Sequence, residues 1–299
     1  MITPPSLHPG DLIGIVAPAG IADPDKVRKG IETLEKTGFR IKTGKHLFDS
    51  FYRFSSTDEN RLYDLQEQLD DEEVRAVFAA RGGYGIVRII DQLSLSRFQK
   101  HPKWFVGFSD LCMLHARINN AGFESIHGPM ASHLSEDMVS REALTRLFEI
   151  LGGNSPQYSL ETHPLSRTGA AAGELAGGNL SVLCTNTGTS TDMNTRGKIL
   201  LIEDLNEYHY HIDRMMMQLK RSGKLSHLAG LMVGDFTSLR DEPELFGMNH
   251  YEIILNVVSE YDYPVLFGFP AGHEYDNRPL IFGREIKIDI HSNKTIVKQ

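Results

Sequence analysis

Cysteine is nearly absent from this chain, and so are the features typical of membrane and nucleic-acid-binding proteins. Only Cys112 and Cys184 occur in 299 residues, which excludes a disulfide framework and any Cys-x-x-Cys zinc or redox pair. No apolar run approaches the roughly 20 residues that span a bilayer. The formal net charge is −8 and no Lys/Arg run offsets it, so we expect neither nucleic acid nor membrane as a partner.

The remaining composition is that of an ordinary globular protein. Hydrophobic residues make up 40% of the chain and charged residues 23%, and this length supports one or two domains, each with its own core. The opening residues 1–5 show no basic segment followed by an apolar one, so no secretory signal is expected. The composition therefore predicts a cytoplasmic protein.

Short apolar runs alternate with helical patterns in the first half of the chain. Strands are predicted at residues 12–17, 74–80 and 104–107, and Asp23-Pro24 is typical of a helix N-terminus. Strands that alternate with helices predict an α/β fold, in which a mostly parallel sheet is covered on both faces.

The second half of the chain has a different composition. Residues 160–178 are rich in small and polar side chains, and we place a domain linker near their start. Beyond them, apolar runs predict four strands, at residues 199–202, 228–233, 265–269 and 286–290. We therefore predict two domains, residues 1–158 with the parallel sheet and residues 159–299 as a smaller, β-rich domain.

The segment at residues 104–111 reads as a strand, a sharp turn and a helix, like a nucleophile elbow carrying Ser109. Gly107 would relieve crowding beside the turn, and the following helix would direct its N-terminal amides toward the serine. The amide of Asp110 could then face an oxyanion. Leu111 replaces the second glycine of the usual motif. The alternative is that Ser109 simply caps the helix.

A glycine-rich turn, Arg-Gly-Gly-Tyr-Gly, occupies residues 81–85. Its three glycines allow the backbone to approach a ligand closely, and the amides of Gly82 and Gly83 could bind an anion or supply a second oxyanion donor. The spacing matches neither the dinucleotide-binding fingerprint nor the phosphate-binding P-loop. The alternative is an ordinary tight turn between a strand and a helix.

His273 is the best placed of 13 histidines. It follows a predicted strand in a loop, where catalytic residues often lie, and Gly272 leaves space around its ring. His209 and His211 resemble a metal-binding pair but fit a solvated loop equally well. The stretch from His273 begins like a His-Glu-x-x-His zinc helix, but Asn277 replaces the second histidine, so we reject a zinc site.

Glu203 ends an apolar strand, where a carboxylate is suited to hold an imidazole in one tautomer and stabilise its cation. Asp204 is the near rival, and both acids could instead be solvated residues that cap the next turn. Cys112 is an alternative nucleophile, but it lies one helical turn past Ser109 among apolar residues, which favours a buried thiol.

Six segments together resemble one known family, the LD-carboxypeptidases, which also include the microcin C self-immunity peptidases. These segments are Gly-Phe-Ser-Asp at 107–110, Arg-Gly-Gly-Tyr-Gly at 81–85, Ile-Glu-Asp at 202–204, Pro-Ala-Gly-His at 270–273, Ala-Gly-Gly-Asn-Leu at 176–180 and the opening strand and turn at 10–20. The likeness extends over nearly the whole chain.

The resemblance implies a Rossmann-like N-terminal domain, a swivelling C-terminal domain, a homodimer and a triad that needs no metal or cofactor. Carried over by position, Ser109 is the nucleophile, His273 the general acid and base, and Glu203 its orienting residue. The amide of Asp110 and one from Gly82 or Gly83 would form the oxyanion hole. With Ser109 in the first predicted domain and the other triad members in the second, the active site is expected in the cleft between domains.

The family's usual activity implies a serine carboxypeptidase that takes a small peptide, a muropeptide, during cell-wall recycling. It would cut murein tetrapeptides between the L-configured centre of diaminopimelate and the terminal D-alanine. One alternative is a peptidase that detoxifies aminoacyl nucleotides of the microcin C type, although no aromatic platform for a base can be placed. Another is a non-enzymatic module that binds a peptide or a sugar.

Overall fold

The structure, a computed structural model, describes all residues from 1 to 299 and contains thirteen strands and eight α-helices. The strands are β1 (Leu12–Val16), β2 (Arg40–Thr43), β3 (Val74–Ala79), β4 (Trp104–Gly107), β5 (Ser125–His127), β6 (Gln157–Glu161), β7 (Gly169–Asn179), β8 (Ile199–Leu205), β9 (Gly230–Thr237), β10 (Val265–Phe267), β11 (Leu280–Phe282), β12 (Glu285–Ile290) and β13 (Lys294–Lys298). The helices are α1 (Pro24–Lys36), α2 (Asp58–Asp70), α3 (Cys112–Asn120), α4 (Arg141–Leu151), α5 (Leu180–Asn186), α6 (His209–Arg221), α7 (Pro243–Phe246) and α8 (His250–Val257). None of these helices combines the length and the apolar composition that a bilayer crossing requires.

The chain divides into two compact units. The first comprises Met1–Ser155 and Tyr275–Phe282, and the second comprises Pro156–Glu274 and Gly283–Gln299. The predicted ranges, 1–158 and 159–299, did not include the return of residues 275–282 to the first unit. This return has a physical cause, because β11 lies in that segment and completes the sheet of the first unit by antiparallel pairing with β5.

The first unit is built on a six-stranded sheet in the order β2-β1-β3-β4-β5-β11. All neighbouring pairs are parallel except β5 and β11. The predicted α/β fold with a parallel sheet is confirmed. The strands that follow β1 in the chain lie on its two sides, β2 on one and β3 on the other. The loops after β1 and β3 therefore meet at the carboxyl edge of the sheet, where ligands of open α/β sheets bind.

Local sequence signals account for much of this unit, with one exception. The Asp23 side chain accepts hydrogen bonds from the amides of Asp25 and Lys26, with Pro24 in the first turn of α1, as predicted. The apolar spacing of Val87, Ile89 and Ile90 also predicts a helix directly after the glycine-rich turn, and this prediction is wrong. Two short 3-10 turns occupy residues 86–92 instead, because the backbone there is held by contacts from other parts of the unit, described below.

The second unit is built on a seven-stranded mixed sheet in the order β10-β9-β8-β7-β12-β13-β6. The strands from β7 to β10 pair in parallel, and β7, β12, β13 and β6 pair antiparallel. The chain passes from the first unit to the second between Ser155 and Pro156, a few residues before 160. Most of residues 160–178 lie in β6 and β7. Small residues serve close packing here: a Cβ on Gly173 would lie 2.6 Å from the carbonyl oxygen of Gly197.

Candidate active site

Ser109 lies directly after β4 in an unusual backbone conformation. Its φ is +65°, in the left-handed region where a non-glycine residue costs on the order of 1–3 kcal/mol. Ser109–Leu111 form a single 3-10 turn, and α3 begins at Cys112 without a side-chain cap. The alternative that Ser109 caps the helix is therefore wrong. A strained serine at the carboxyl end of a parallel strand is the geometry of a nucleophile elbow.

The glycine-rich turn after β3 lies against this serine. A Cβ added to Gly82 would be 2.8 Å from the Ser109 Cβ and 3.0 Å from its Oγ, so a side chain at 82 does not fit. The amide of Gly20, after β1, donates to the carbonyl oxygen of Gly82 at 2.9 Å. Gly83 has φ +96°, which a side chain rarely adopts. The turn thus brings bare backbone to the serine hydroxyl.

The side chain of Asp110 joins the elbow to the glycine-rich turn. Its Oδ2 accepts a hydrogen bond from the amide of Ile86 at 2.9 Å. Burial raises the pKa of Asp110 to about 6, while the amides of Ile86 and Gly85 oppose that rise by stabilising the carboxylate. The sequence predicted a role for the main-chain amide of Asp110 and gave no signal for its carboxylate.

The first turn of α3 belongs to the core of its unit. Cys112 is fully buried there, as expected for a structural thiol. One turn along, the His115 ring is hydrogen-bonded to the carbonyl oxygen of Gly107 at 2.9 Å and to the Ser125 hydroxyl at 2.8 Å. Burial lowers the pKa of His115 to about 4, so this neutral imidazole anchors the end of β4.

Glu203 and His273 meet in the second unit although they are 70 residues apart. Glu203 Oε2 lies 2.8 Å from His273 Nδ1. The glutamate is fully buried on β8, and the histidine side chain keeps 16% of its surface exposed. A buried carboxylate at one ring nitrogen leaves Nε2 to act as the proton acceptor, which is the arrangement of the acid and base in a hydrolase triad.

Two glycines and a strand irregularity make this contact fit. The register between β8 and β9 shifts between Ile202 and Asp204, as at bulges that redirect side chains near active sites. A Cβ on Gly234 would lie 2.3 Å from the Ala271 carbonyl oxygen. Gly272 has φ +137°, and a Cβ there would lie 3.1 Å from Glu203 Oε2. The loop carrying the histidine can rest on the glutamate only because both positions lack side chains.

The rival acid, Asp204, is occupied elsewhere. Its oxygens accept hydrogen bonds from the Asn179 side chain and from the amides of Ser181 and Leu205, each at 2.9 Å. Burial, followed by the neighbouring charge of Glu203, raises the pKa of Asp204 to about 7. Consecutive side chains on a strand point to opposite faces. Asp204 therefore secures the start of α5, and Glu203 is the acid that contacts the histidine.

His209 and His211, which resemble a metal-binding pair in the sequence, each contact a different acidic residue in the structure. His209 Nδ1 lies 2.8 Å from Asp241, and His211 Nδ1 lies 2.6 Å from Glu207. The stretch from His273 to Asn277 is a loop and not a helix, so the zinc-helix pattern lacks the backbone that it requires.

Sequence reasoning missed three contributors to these two clusters. The buried side chain of Arg61 donates to carbonyl oxygens of Pro18 and Gly85, the carboxylate of Asp110 holds the turn, and Gly234 admits the histidine loop. The position of Gly234 inside an apolar strand was a usable signal, because an isolated strand glycine often marks a bulge or a close approach. Arg61 in a helical pattern carried no such signal.

Two family models match the chain, and they cover most of it. Residues 13–128 match the LD-carboxypeptidase N-terminal domain, and residues 172–288 match the LD-carboxypeptidase C-terminal domain. The first range contains Ser109, and the second contains Glu203 and His273. The matched ranges therefore include the residues of both clusters described above.

Individual relatives agree with this match. A probable murein peptide carboxypeptidase of Bacillus subtilis is 38% identical over 274 residues, covering 90% of this chain and 86% of that protein. The muramoyltetrapeptide carboxypeptidase from Oxalobacter formigenes has a crystal structure with TM-score 0.86 and 27% identity, covering 96% of this chain and 98% of that one. The microcin C7 self-immunity protein in complex with aspartyl sulfamoyl adenosine has TM-score 0.88 and 20% identity, covering 100% and 99%, and shares the fold. Taken with the two family matches, these similarities establish that the chain belongs to the LD-carboxypeptidase family.

Proposed function

We propose that this chain is a serine carboxypeptidase that uses Ser109, His273 and Glu203 to release terminal D-alanine from murein tetrapeptides. The observation that carries the proposal is the conformation of Ser109, a strained serine at a strand end with the bare backbone of Gly82 against its hydroxyl. The Glu203–His273 contact at 2.8 Å supplies the matching acid and base.

In the proposed reaction His273 Nε2 takes the proton from Ser109 Oγ as that oxygen attacks the scissile carbonyl carbon. An unassisted serine hydroxyl is almost wholly protonated at neutral pH, so the base is required. Glu203 accepts from the Nδ1 hydrogen and stabilises the imidazolium without itself taking the proton. The imidazolium then returns its proton to the nitrogen of the departing D-alanine.

The negative oxygen of the tetrahedral intermediate needs hydrogen-bond donors that are already in place. We assign this role to the main-chain amides of Asp110 and of Gly82 or Gly83, whose turn lies against the serine. Water then attacks the acyl-enzyme with His273 again as the base, which frees the tripeptide and restores Ser109. The proposal requires that His273 reach the Ser109 hydroxyl in the working enzyme.

The substrate assignment rests on the relatives that are named as murein peptide and muramoyltetrapeptide carboxypeptidases. Hydrolysis of recycled muropeptides would take place in the cytoplasm, and we include that location in the proposal. The family resemblance also implies a homodimer, which light scattering of the purified chain would report as twice the chain mass.

The direct test is product analysis of purified enzyme with a murein tetrapeptide. We expect equal amounts of tripeptide and free D-alanine, no product from Ser109→Ala, and normal turnover from Ser96→Ala, a matched change at an exposed serine. Preferential hydrolysis of aspartyl sulfamoyl adenosine would instead favour the microcin C type of activity. An enzyme that hydrolyses neither compound and does not react with a fluorophosphonate would favour a binding module and contradict the proposal.

A further inference from the structure

One peptide unit beside the candidate nucleophile is held at both ends. The carbonyl oxygen of Gly85 accepts a hydrogen bond from Arg61 Nη1 at 2.9 Å. The N–H of the same peptide, that of Ile86, donates to Asp110 Oδ2 at 2.9 Å. We call this arrangement of Arg61, Gly85, Ile86 and Asp110 the Gly85 clamp. All four residues belong to the first unit.

The clamp uses two buried side chains of opposite charge. Arg61 is 1% exposed and Asp110 is 7% exposed. Withdrawing such groups from water is unfavourable unless each is hydrogen-bonded, and here both use part of their hydrogen-bonding capacity on one backbone unit. The charge of Arg61 also favours the ionised form of Asp110 and so opposes the effect of burial on its pKa.

Arg61 ties this peptide to a second loop. The same Nη1 donates to the carbonyl oxygen of Pro18 at 2.5 Å, and Nη2 lies 2.5 Å from Asp58 Oδ1. Gly85 has φ +147°, and a Cβ there would lie 2.6 Å from Nη1. A side chain at 85 would therefore displace the guanidinium. Glycine at this position, like the buried arginine, serves the clamp.

The clamp has a consequence for the oxyanion hole, because Asp110 takes part in both. Its main-chain amide is one assigned donor, and the other belongs to Gly82 or Gly83, a few residues before the clamped peptide. We propose that Asp110 and Arg61 are positioning residues, which fix the two oxyanion donors relative to each other by holding the Gly85–Ile86 peptide. This inference rests on the proposed serine mechanism and adds residues that the triad does not contain.

The test compares variants that keep or remove one side of the clamp. Asp110→Ala removes the acceptor for Ile86, and a donor displaced by about 1 Å costs on the order of 10²-fold in rate. We therefore expect kcat to fall about 10²-fold, with KM little changed. Asp110→Asn keeps an acceptor oxygen and should recover part of the rate. Arg61→Lys keeps the charge but cannot form the same fork, so it too should lower kcat.

The matched control is Arg88→Ala. Arg88 also pairs with Asp58, at 2.8 Å, and its side chain is 51% exposed. Its main-chain amide donates to the Gly85 carbonyl oxygen at 3.2 Å, and alanine keeps that amide. We expect this variant to keep the wild-type kcat. A loss as large as that of the clamp variants would show that the Asp58 ion pairs, and not the clamp, set the rate.

A second readout separates this inference from the proposed function. The rate at which a fluorophosphonate labels Ser109 depends on the nucleophile and the oxyanion donors but not on the peptide, and thermal unfolding reports whether each variant is folded. The clamp is supported if folded Asp110→Ala and Arg61→Lys label slowly and Asp110→Asn labels faster than Asp110→Ala. It is overturned if the folded variants label at the wild-type rate, or if Asp110→Asn labels no faster than Asp110→Ala. A wild-type enzyme that labels rapidly yet leaves the tetrapeptide intact contradicts the substrate proposal alone.

Discussion

At the scale of single residues, two neighbouring acids on β8 have separate tasks because a strand directs successive side chains to opposite faces. Glu203 contacts His273, whereas Asp204 accepts three hydrogen bonds around the start of α5. Both are buried, so burial alone does not distinguish the acid that contacts the histidine from the acid that holds the start of α5. The hydrogen-bond partners do.

Substitution of each acid by its amide should therefore have different effects. Glu203→Gln keeps the shape but weakens stabilisation of the imidazolium, and by analogy with other triads kcat should fall on the order of 10³ to 10⁴-fold. Asp204→Asn should keep most of the activity. Steady-state kinetics on the tetrapeptide measure both, with circular dichroism as the check on folding. A crippled Asp204→Asn beside an active Glu203→Gln would show that the acid is misassigned.

Asp204 also predicts how stability depends on pH. Its pKa is raised from 3.8 to about 7 in the folded chain, so between these values the folded state holds the proton more tightly than the unfolded state does. Stability contributed by this group is therefore present at low pH and is lost as pH rises toward 7. The unfolding free energy of the wild type should fall relative to that of Asp204→Asn over this range.

Urea unfolding at several pH values between 4 and 8 measures this difference. The exposed Asp262 offers a matched control in the same unit, and the difference between wild type and Asp262→Asn should stay nearly constant over the series. A difference for Asp204→Asn that is equally flat would show that burial does not perturb this carboxyl.

At the scale of elements, the first unit depends on backbone segments that approach each other without side chains. The loops after β1 and β3 touch at Gly20 and Gly82, and a Cβ on Gly20 would lie 2.8 Å from the Gly82 carbonyl oxygen. The elbow after β4 also lies against Gly82, where an added Cβ would be 2.8 Å from the Ser109 Cβ. Three loop segments at the carboxyl edge of one sheet thus fit together at a single glycine.

Gly82→Ala should consequently impair catalysis more than folding. The new methyl group would lie 2.8 Å from the Ser109 Cβ, and this contact can be relieved only by moving the turn or the nucleophile. We expect at least a 10²-fold loss of kcat, comparable to the loss of an oxyanion donor, which costs about 10² to 10³. Gly152→Ala, at a helix end with φ −75°, should be nearly silent in the same assay. Wild-type turnover by Gly82→Ala would remove the glycine-rich turn from the site.

At the scale of the whole molecule, the candidate catalytic residues are divided between two units. Ser109, Asp110 and the glycine-rich turn belong to the first, and Glu203 and His273 to the second. Each group is organised by contacts inside its own unit. The two family models match one group each, since residues 13–128 contain Ser109 and residues 172–288 contain Glu203 and His273.

The proposed triad predicts that substitutions in the two units are not additive. Ser109→Ala and His273→Ala should each remove nearly all turnover, and the double variant should be little worse than Ser109→Ala, since residues that act together lose their shared effect once. Rates of product formation measured over long incubations test this. Losses that multiply in the double variant would mean that the two residues act independently.

The sequence by itself determined the fold class and the local geometry of the elbow. Alternating apolar runs and helical patterns predicted the parallel sheet, and the strand, glycine and serine around residue 107 predicted the turn that Ser109 forms. These features depend on interactions over a few residues, namely backbone conformational preference, capping and the spacing of apolar side chains. The sequence also singled out Glu203 and His273 as candidates while leaving Asp204 open.

Only the tertiary structure decided which side chains meet. The choice of Glu203 over Asp204, the return of β11 to the first sheet and the second role of Asp110 all depend on partners far along the chain. His273 lies 70 residues from Glu203, and their contact is set by the register of β8 on β9 and by two glycines that admit the loop. A local pattern fixes where a side chain can point, but its partner is fixed by packing between strands distant in sequence, because burial and hydrogen bonding are satisfied over the whole unit.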